Sequence, residues 1–259
     1  RRGRAVPGAA RCRRTAGEPW RRTNYAGRPV TLLGGPALAL AATASAVAGA
    51  PTGTRAAAAL VGTVSGLVGG YDDLAGARPE QARDKGLAGH LRALRAGRVS
   101  AGAVKVAGIG AAAAAAALLT QRDRGLADAV LTTGLVAGTA NLANLLDLRP
   151  GRAAKVAVLA AAAGLGGPSG SLVAGPLGAS LAVLPADLGE RVMLGDCGAN
   201  AVGALLGLRL AAAPGRPARA GALAAVVGLT LASERVSFTR VIEATPVLRA
   251  LDRLGRRGA

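Results

Sequence analysis

The sequence predicts an all-α fold: a polytopic integral-membrane helical bundle with about eight transmembrane helices and cytoplasmic active-site loops. Three observations carry this. Of the 259 residues, 51% are apolar, and the mean hydropathy is positive. The apolar residues come in blocks that are poor in charge, as in a multi-span membrane protein. The net charge of +18 is spread unevenly between the loops that join those blocks.

In chain order the blocks cover residues 30–50, 56–70, 101–120, 126–146, 153–167, 172–185, 199–213 and 218–233. A span needs roughly 20 apolar residues, so the shorter blocks must borrow flanking residues, tilt, or sit partly buried. Ala and Gly dominate, which makes each block weakly hydrophobic but lets helices approach closely through small-residue spacings such as Gly62, Gly66, Gly70 and Gly203, Gly207. The chain divides into a basic N-terminal cytoplasmic segment (1–29), a transmembrane domain (30–233) and a basic cytoplasmic tail (234–259). Residues before 23 read as unstructured. In the tail, Val241, Ile242, Val247, Leu248, Leu251 and Leu254 alternate with basic residues, the spacing of an amphipathic helix after Pro246 lying on the membrane surface. A docking site for a partner is the rival reading of that tail.

The charge excess reads as topology rather than nucleic-acid binding. With a cytoplasmic N-terminus and eight spans, 26 of the 32 basic residues fall on the inner side, leaving Arg55, Arg122, Arg124, Arg209, Arg216 and Arg219 outside. That asymmetry follows the positive-inside rule, and the polyanion it suits is anionic lipid. Cys12 and Cys197 are too few and too far apart for a metal site and read as free thiols. No short apolar stretch with a cleavage site precedes the first block, so no signal peptide is expected.

Under this topology, polar residues from distant parts of the chain share one membrane depth on the inner side. Asp72 and Asp73 end the second block, Asn141, Asn144 and Asp147 close the fourth, and Asp196 opens the seventh. Grouped carboxylates repel unless a cation or shared proton offsets them. A hard divalent cation suits them: Mg²⁺ usually takes one or two protein carboxylates and completes its shell with water and phosphate oxygens. The bland alternative is that each acid caps a helix or pairs with a loop Arg. Gly195 and Gly198 would let the backbone approach a ligand closely, or would serve as packing glycines. His90, the single histidine, reads as a loop residue.

The motifs GYDD at 70–73, KG and GH within 85–90, N-x-x-N-L-x-D from Asn141 to Asp147 and VMLGDCGANAVGALLG at 192–207 together resemble the polyprenyl-phosphate N-acetylhexosamine-1-phosphate transferases. The segment TNYAGRPVTLLGG at 23–35 is similar to the stretch ahead of that family's second helix, so the resemblance implies one further helix upstream. It also implies an enzyme of the bacterial plasma membrane, multi-pass, with a cytoplasmic active site. Such an enzyme transfers a sugar 1-phosphate from a UDP-sugar to a polyprenyl phosphate, releases UMP, requires Mg²⁺, and serves envelope polysaccharide or peptidoglycan precursor synthesis. By the same resemblance Asp196 is the magnesium ligand, and Asp72 and Asp73 are the catalytic pair. Asn141, Asn144 and Asp147 line the nucleotide and diphosphate pocket, and Lys85 lies near the phosphates. The partners implied are polyprenyl phosphate, a UDP-sugar, the membrane and a second copy in a homodimer, with no nucleic acid.

Two departures stand out. Leu148, Arg149 and Pro150 occupy the place where the family continues with Gly and a second Asp, and residues 233–257 lack its histidine-rich loop. Glu234, Arg235 or Arg240 is expected near the site instead. The alternative function is a non-catalytic relative acting as a lipid- or nucleotide-binding scaffold in envelope assembly. A transporter ranks below both, because Asp128, the one mid-chain acid, lies near the outer end of its block.

Overall fold

The computed structural model describes residues 17–75, 95, 100–120 and 125–256. The described chain is helical apart from one small antiparallel hairpin, β1 (Arg21–Thr23) and β2 (Pro29–Thr31). Eight helices follow the eight apolar blocks: α1 (Gly34–Gly49), α2 (Arg55–Ala75), α3 (Ala101–Thr120), α4 (Leu126–Leu146), α5 (Arg152–Ala163), α6 (Ser171–Leu188), α7 (Gly195–Ala211) and α8 (Arg216–Arg235). The tail forms α9 (Phe238–Ala244) and α10 (Pro246–Arg253). The expected helix after Pro246 is therefore present. Residues 17–22, read from sequence as unstructured, instead form a turn and most of the first hairpin strand, because Trp20 accepts from the Leu32 N–H just past β2 and Arg22 bonds the Asp73 carbonyl of α2.

Three helices, α3, α4 and α6, are long and apolar enough to cross a membrane, and α8 with α9 makes a fourth if that pair, bent by 93°, is one broken span. Helix α1 is apolar but only 16 residues long. The Ala- and Gly-rich composition explains the difference from eight equal spans: it trades hydrophobicity per residue for close packing.

The centre of the bundle is α7. Every residue from Cys197 to Leu208 is buried, and α4, α2 and α1 surround it. Such contact needs small residues at the crossings. A Cβ added to Gly198 would lie 2.9 Å from the Gly35 Cα, one on Gly203 2.7 Å from the Ala140 Cα, and one on Gly207 2.5 Å from the Leu135 carbonyl oxygen. Likewise a Cβ on Gly62 would meet the Thr43 hydroxyl at 2.4 Å, and one on Gly66 would sit 3.3 Å from the Ala39 Cβ. Gly198 is thus a packing glycine.

At one end of the bundle lie the caps and loops of the acidic motifs; at the other, basic residues tie helices together. Arg209 donates to the Gly164 and Gly166 carbonyls at 2.7 and 2.6 Å. Buried Asp128 holds Arg216 at 2.6 Å and Arg219 at 2.5 Å, joining the start of α4 to the start of α8. Asp128 therefore serves as a clasp between helix ends.

Candidate functional site

The site is built around the N-terminus of α7. The first amides of a helix have no partner within it, and here an acid from another helix supplies one. Both oxygens of Asp73, in the last turn of α2, accept backbone N–H bonds from Asp196 and Cys197 at 2.9 Å each. The Gly195 backbone amide lies close enough to Asp147, which follows the last residue of α4, to favour its charged form. Gly195 itself has φ +57°, and a Cβ there would stand 2.8 Å from both Asp73 oxygens. Only glycine meets both demands.

Asp196 then projects from the first turn of α7. Its carboxylate is shared with Asp72 through the ammonium of Lys105, one turn into α3: Lys105 Nζ lies 2.7 Å from Asp72 Oδ2 and bonds Asp196 Oδ2 as well. All three side chains are largely buried, with 17–23% of their surface exposed. Asn200, one turn along α7, donates to the Asp196 backbone oxygen at 2.7 Å and fixes the start of the helix. The three acidic clusters of the sequence thus converge on one helix end, and a lysine neutralises part of their charge.

Two further segments frame this centre. The hairpin is stitched to the loop ahead of α7 by the Thr31 N–H to the Arg191 oxygen at 3.3 Å and the Met193 N–H to the Thr31 oxygen at 2.9 Å. Asn24 donates to Glu190 at 2.6 Å, and Arg22 bonds the Asp73 carbonyl. On the other flank, Asp147 faces Asp187 of α6, whose Oδ2 is buried with no hydrogen-bond partner among the described residues. Burial pushes the Asp147 carboxyl well above the ordinary carboxylate range, and Asp187 adds to the rise while the Gly195 amide opposes it.

The C-terminal segment closes this flank. Arg152 grips Asp252 of α10 through Nε at 2.8 Å and Nη2 at 3.1 Å. Arg256 donates to Asp252 at 2.8 Å and to the Pro150 oxygen at 2.9 Å. Lys155 caps the Leu251 and Asp252 carbonyls. Burial would raise the Asp252 carboxyl, but the Arg152 guanidinium outweighs it and holds the group below the ordinary range. Val247, Leu251 and Leu254 point outward, so the helix anchors by its acid and presents its apolar face.

Of the residues expected from sequence, Asp72, Asp73, Asp147 and Asp196 come together. Asn141 is exposed and Asn144 half-buried near the end of α4, and among the described residues no hydrogen bond joins their side chains to the acids. Lys85, His90 and Cys12 lie outside the described residues. Cys197 is a buried free thiol. Glu243, rather than Glu234, is the tail acid near the framing residues: it pairs with Arg149 at 3.7 Å, and Arg149 stacks on the Tyr25 ring at 3.9 Å. Sequence reasoning missed Lys105 as a site residue, although a lone lysine one turn inside an otherwise uncharged block was its signal. It also missed Asp187, near the end of the sixth block.

Among the described residues no three His, Cys, Asp or Glu side chains are grouped to hold a metal ion. Asp72 and Asp196 nevertheless converge on a single cation, the Lys105 ammonium, and two hard carboxylates are the donor set Mg²⁺ commonly takes alongside water and phosphate oxygens. The pair therefore fits such an ion, whereas Asp73, spent on two amides, does not.

Comparison with protein-family models, with curated proteins and with solved structures returns no match for this chain.

Proposed function

We propose that this protein is a membrane transferase that moves an N-acetylhexosamine 1-phosphate from a UDP-sugar to a polyprenyl phosphate at the cytoplasmic face, with UMP as the leaving group. The observation that carries the reading is the convergence of Asp72, Asp147 and Asp196, from α2, the end of α4 and α7, on one helix end beside Lys105. Their sequence motifs are those that resemble the transferase family, and their grouping is what phosphoryl transfer between two anionic partners needs. Eight spans with the basic loops inside, and a plasma-membrane location, belong to the same reading.

In the reaction an oxygen of the lipid phosphate attacks the sugar-bearing phosphorus of the UDP-sugar. A new P–O bond forms, the diphosphate P–O bond breaks, and the electron pair leaves on UMP. Such a step calls for positioning and charge neutralisation more than covalent chemistry. Lys105 supplies a buried positive charge for phosphate oxygens, Asp73 sets the helix end that presents Asp196, and Asp147 stands beside the Gly195 backbone. Asp72 and Asp196 would hold Mg²⁺, which when bound neutralises the diphosphate charge. Lys85, Asn141 and Asn144 are assigned to nucleotide and phosphate contacts by resemblance alone.

The test is UMP release from a panel of UDP-sugars by the purified protein with polyprenyl phosphate, with and without Mg²⁺, beside Asp196→Asn. Magnesium-dependent release that disappears in the variant supports the transferase and identifies its sugar. A folded protein that binds lipid phosphate yet releases nothing from any donor points to the scaffold reading instead. That second reading has its own support in the Lys105 bridge, which already satisfies the carboxylates a metal would use.

A further inference from the structure

The connection from Asp147 to Lys155, which joins α4 to α5, is held on one side by the C-terminal tail. Arg149 pairs with Glu243 of α9, and the Pro150 oxygen accepts from Arg256. Arg152 grips Asp252 and also donates to the Thr239 hydroxyl at 3.1 Å, while Lys155 donates to the carbonyls of Leu251 and Asp252. Beyond α10, Gly255 adopts φ +75° and turns Arg256 back onto Asp252. A shift of α10 therefore pulls on the segment that begins at Asp147, one of the acids of the site.

The opposite side of α10 is turned away from the protein. Val247, Leu251 and Leu254 recur at i, i+4 and i+7 and so form one stripe; they are 68%, 51% and 68% exposed. Arg249 and Arg253, one turn apart on the polar side, are exposed as well. Asp252 is the only acid between Ala244 and Arg256, and it is buried against Arg152. The outward surface of α10 thus offers apolar side chains and positive charge, with no acid of its own to offset that charge.

We infer that α10 is a strap that sets its apolar stripe into the surface of an anionic bilayer leaflet and thereby holds the connection from Asp147 to Lys155, so that lipid charge steadies one flank of the acidic centre. The inference needs the membrane but not the transferase chemistry. Two observations select a leaflet over a protein partner. Arginines on one side and leucines on the other make up a helix that lies in a headgroup layer. Size points the same way: eight residues make a helix about 12 Å long, and its free side falls far short of the roughly 800 Å² per partner that a specific protein interface covers. A chain already bound to the membrane needs only a few further buried apolar side chains to hold such a helix down. The clasp fixes the orientation, because Asp252 bonded to Arg152 keeps α10 from rolling and leaves the stripe outward.

The experiment places an environment-sensitive fluorophore on α10 through Leu254→Cys, in a Cys12→Ser background with the buried Cys197 retained. The full chain is reconstituted into vesicles of phosphatidylcholine alone or of phosphatidylcholine with phosphatidylglycerol, and hydrogen exchange of the amides at 149–155 is followed in the same vesicles. In anionic vesicles the emission should shift to the blue and exchange at 149–155 should slow. Both effects should fade in molar salt, where screening cuts the reach of a charge to about 3 Å. Arg249→Gln together with Arg253→Gln should lower the ratio of inserted to free strap in anionic vesicles on the order of thirtyfold, since each arginine near such a surface is worth about a factor of five. Val247→Ser together with Leu251→Ser should abolish insertion in both vesicles, with the thermal midpoint in detergent as the check on folding; the arginine pair carries the test if that variant does not fold. Identical emission and exchange in neutral and anionic vesicles overturn the proposal. A blue shift without slower exchange at 149–155 leaves a surface helix and overturns the strap. A blue shift that grows with protein concentration in detergent and ignores lipid charge gives the stripe to a second copy and overturns it as well. None of these readings depends on UMP release, so the strap and the transferase reading fail separately.

Discussion

Asp73 accepts the backbone N–H groups of Asp196 and Cys197 at 2.9 Å each, so an acid 123 residues away in sequence caps the helix that carries Asp196. Its place in the site is therefore structural as well as electrostatic. Asp73→Ala should lower stability by about 0.5–2 kcal/mol, the usual loss for a helix cap, and under the proposed function it should lower UMP release by displacing Asp196. Asp73→Asn, which keeps one acceptor, should fall between the two. Thermal midpoints in detergent, compared with turnover, check the order; a wild-type midpoint for Asp73→Ala would refute the capping role.

Lys105 stands between Asp72 and Asp196, and under the proposed function a divalent cation shares that place. Lys105→Met removes a competing charge in contact with both acids. Half-saturation by Mg²⁺ should then fall on the order of tenfold, since an ion pair at about 4 Å is worth roughly 1–4 kcal/mol between water and a protein surface. Turnover at saturating Mg²⁺ should also fall, because the phosphate loses a cation. A Mg²⁺ titration of UMP release separates the two effects, and an unchanged half-saturation would argue against shared occupancy.

The tail depends on an ionised acid. Asp252 is held below the ordinary carboxylate range by Arg152 and Arg256 against the opposing effect of burial. Because its folded pKa is depressed, its contribution is present above the unfolded value near 3.8 and is lost as pH falls through the lower, folded value. The tail should stay docked at neutral pH and release only in strong acid, whereas Asp252→Asn should loosen it at all pH values. Charge-assisted hydrogen bonds of this kind contribute roughly 1.5–3 kcal/mol. Limited proteolysis at the basic residues from Arg249 onward reads the release; cleavage of the variant at the wild-type rate would contradict the clasp.

Glycines separate by environment. Gly207→Ala places a Cβ 2.5 Å from the Leu135 carbonyl oxygen, whereas Gly221→Ala meets nothing within 4 Å. The first should destabilise by about 1–3 kcal/mol through overpacking. The second should stabilise by roughly 0.5–1 kcal/mol through helix propensity. Melting of the two variants side by side tests whether α7 is as tightly enclosed as its burial implies.

What the sequence determined by itself was the helical plan. The blocks at Ala101–Thr120 and Leu126–Leu146 coincide with α3 and α4 because long Ala- and Leu-rich runs stop where charged or turn residues make continued burial costly. It also determined which acids share one end, since alternating helices return every second connection to the same side. The tertiary structure decided how those acids are used. Lys105 pairs with Asp196 across 91 residues, and Asp73 gives both oxygens to amides rather than to a ligand. Asp252 turns inward while the leucines beside it turn out. A side chain's partner depends on which helices pack against α7 and at what depth, and that follows from glycine-mediated contacts between segments distant in the chain, which no local periodicity encodes.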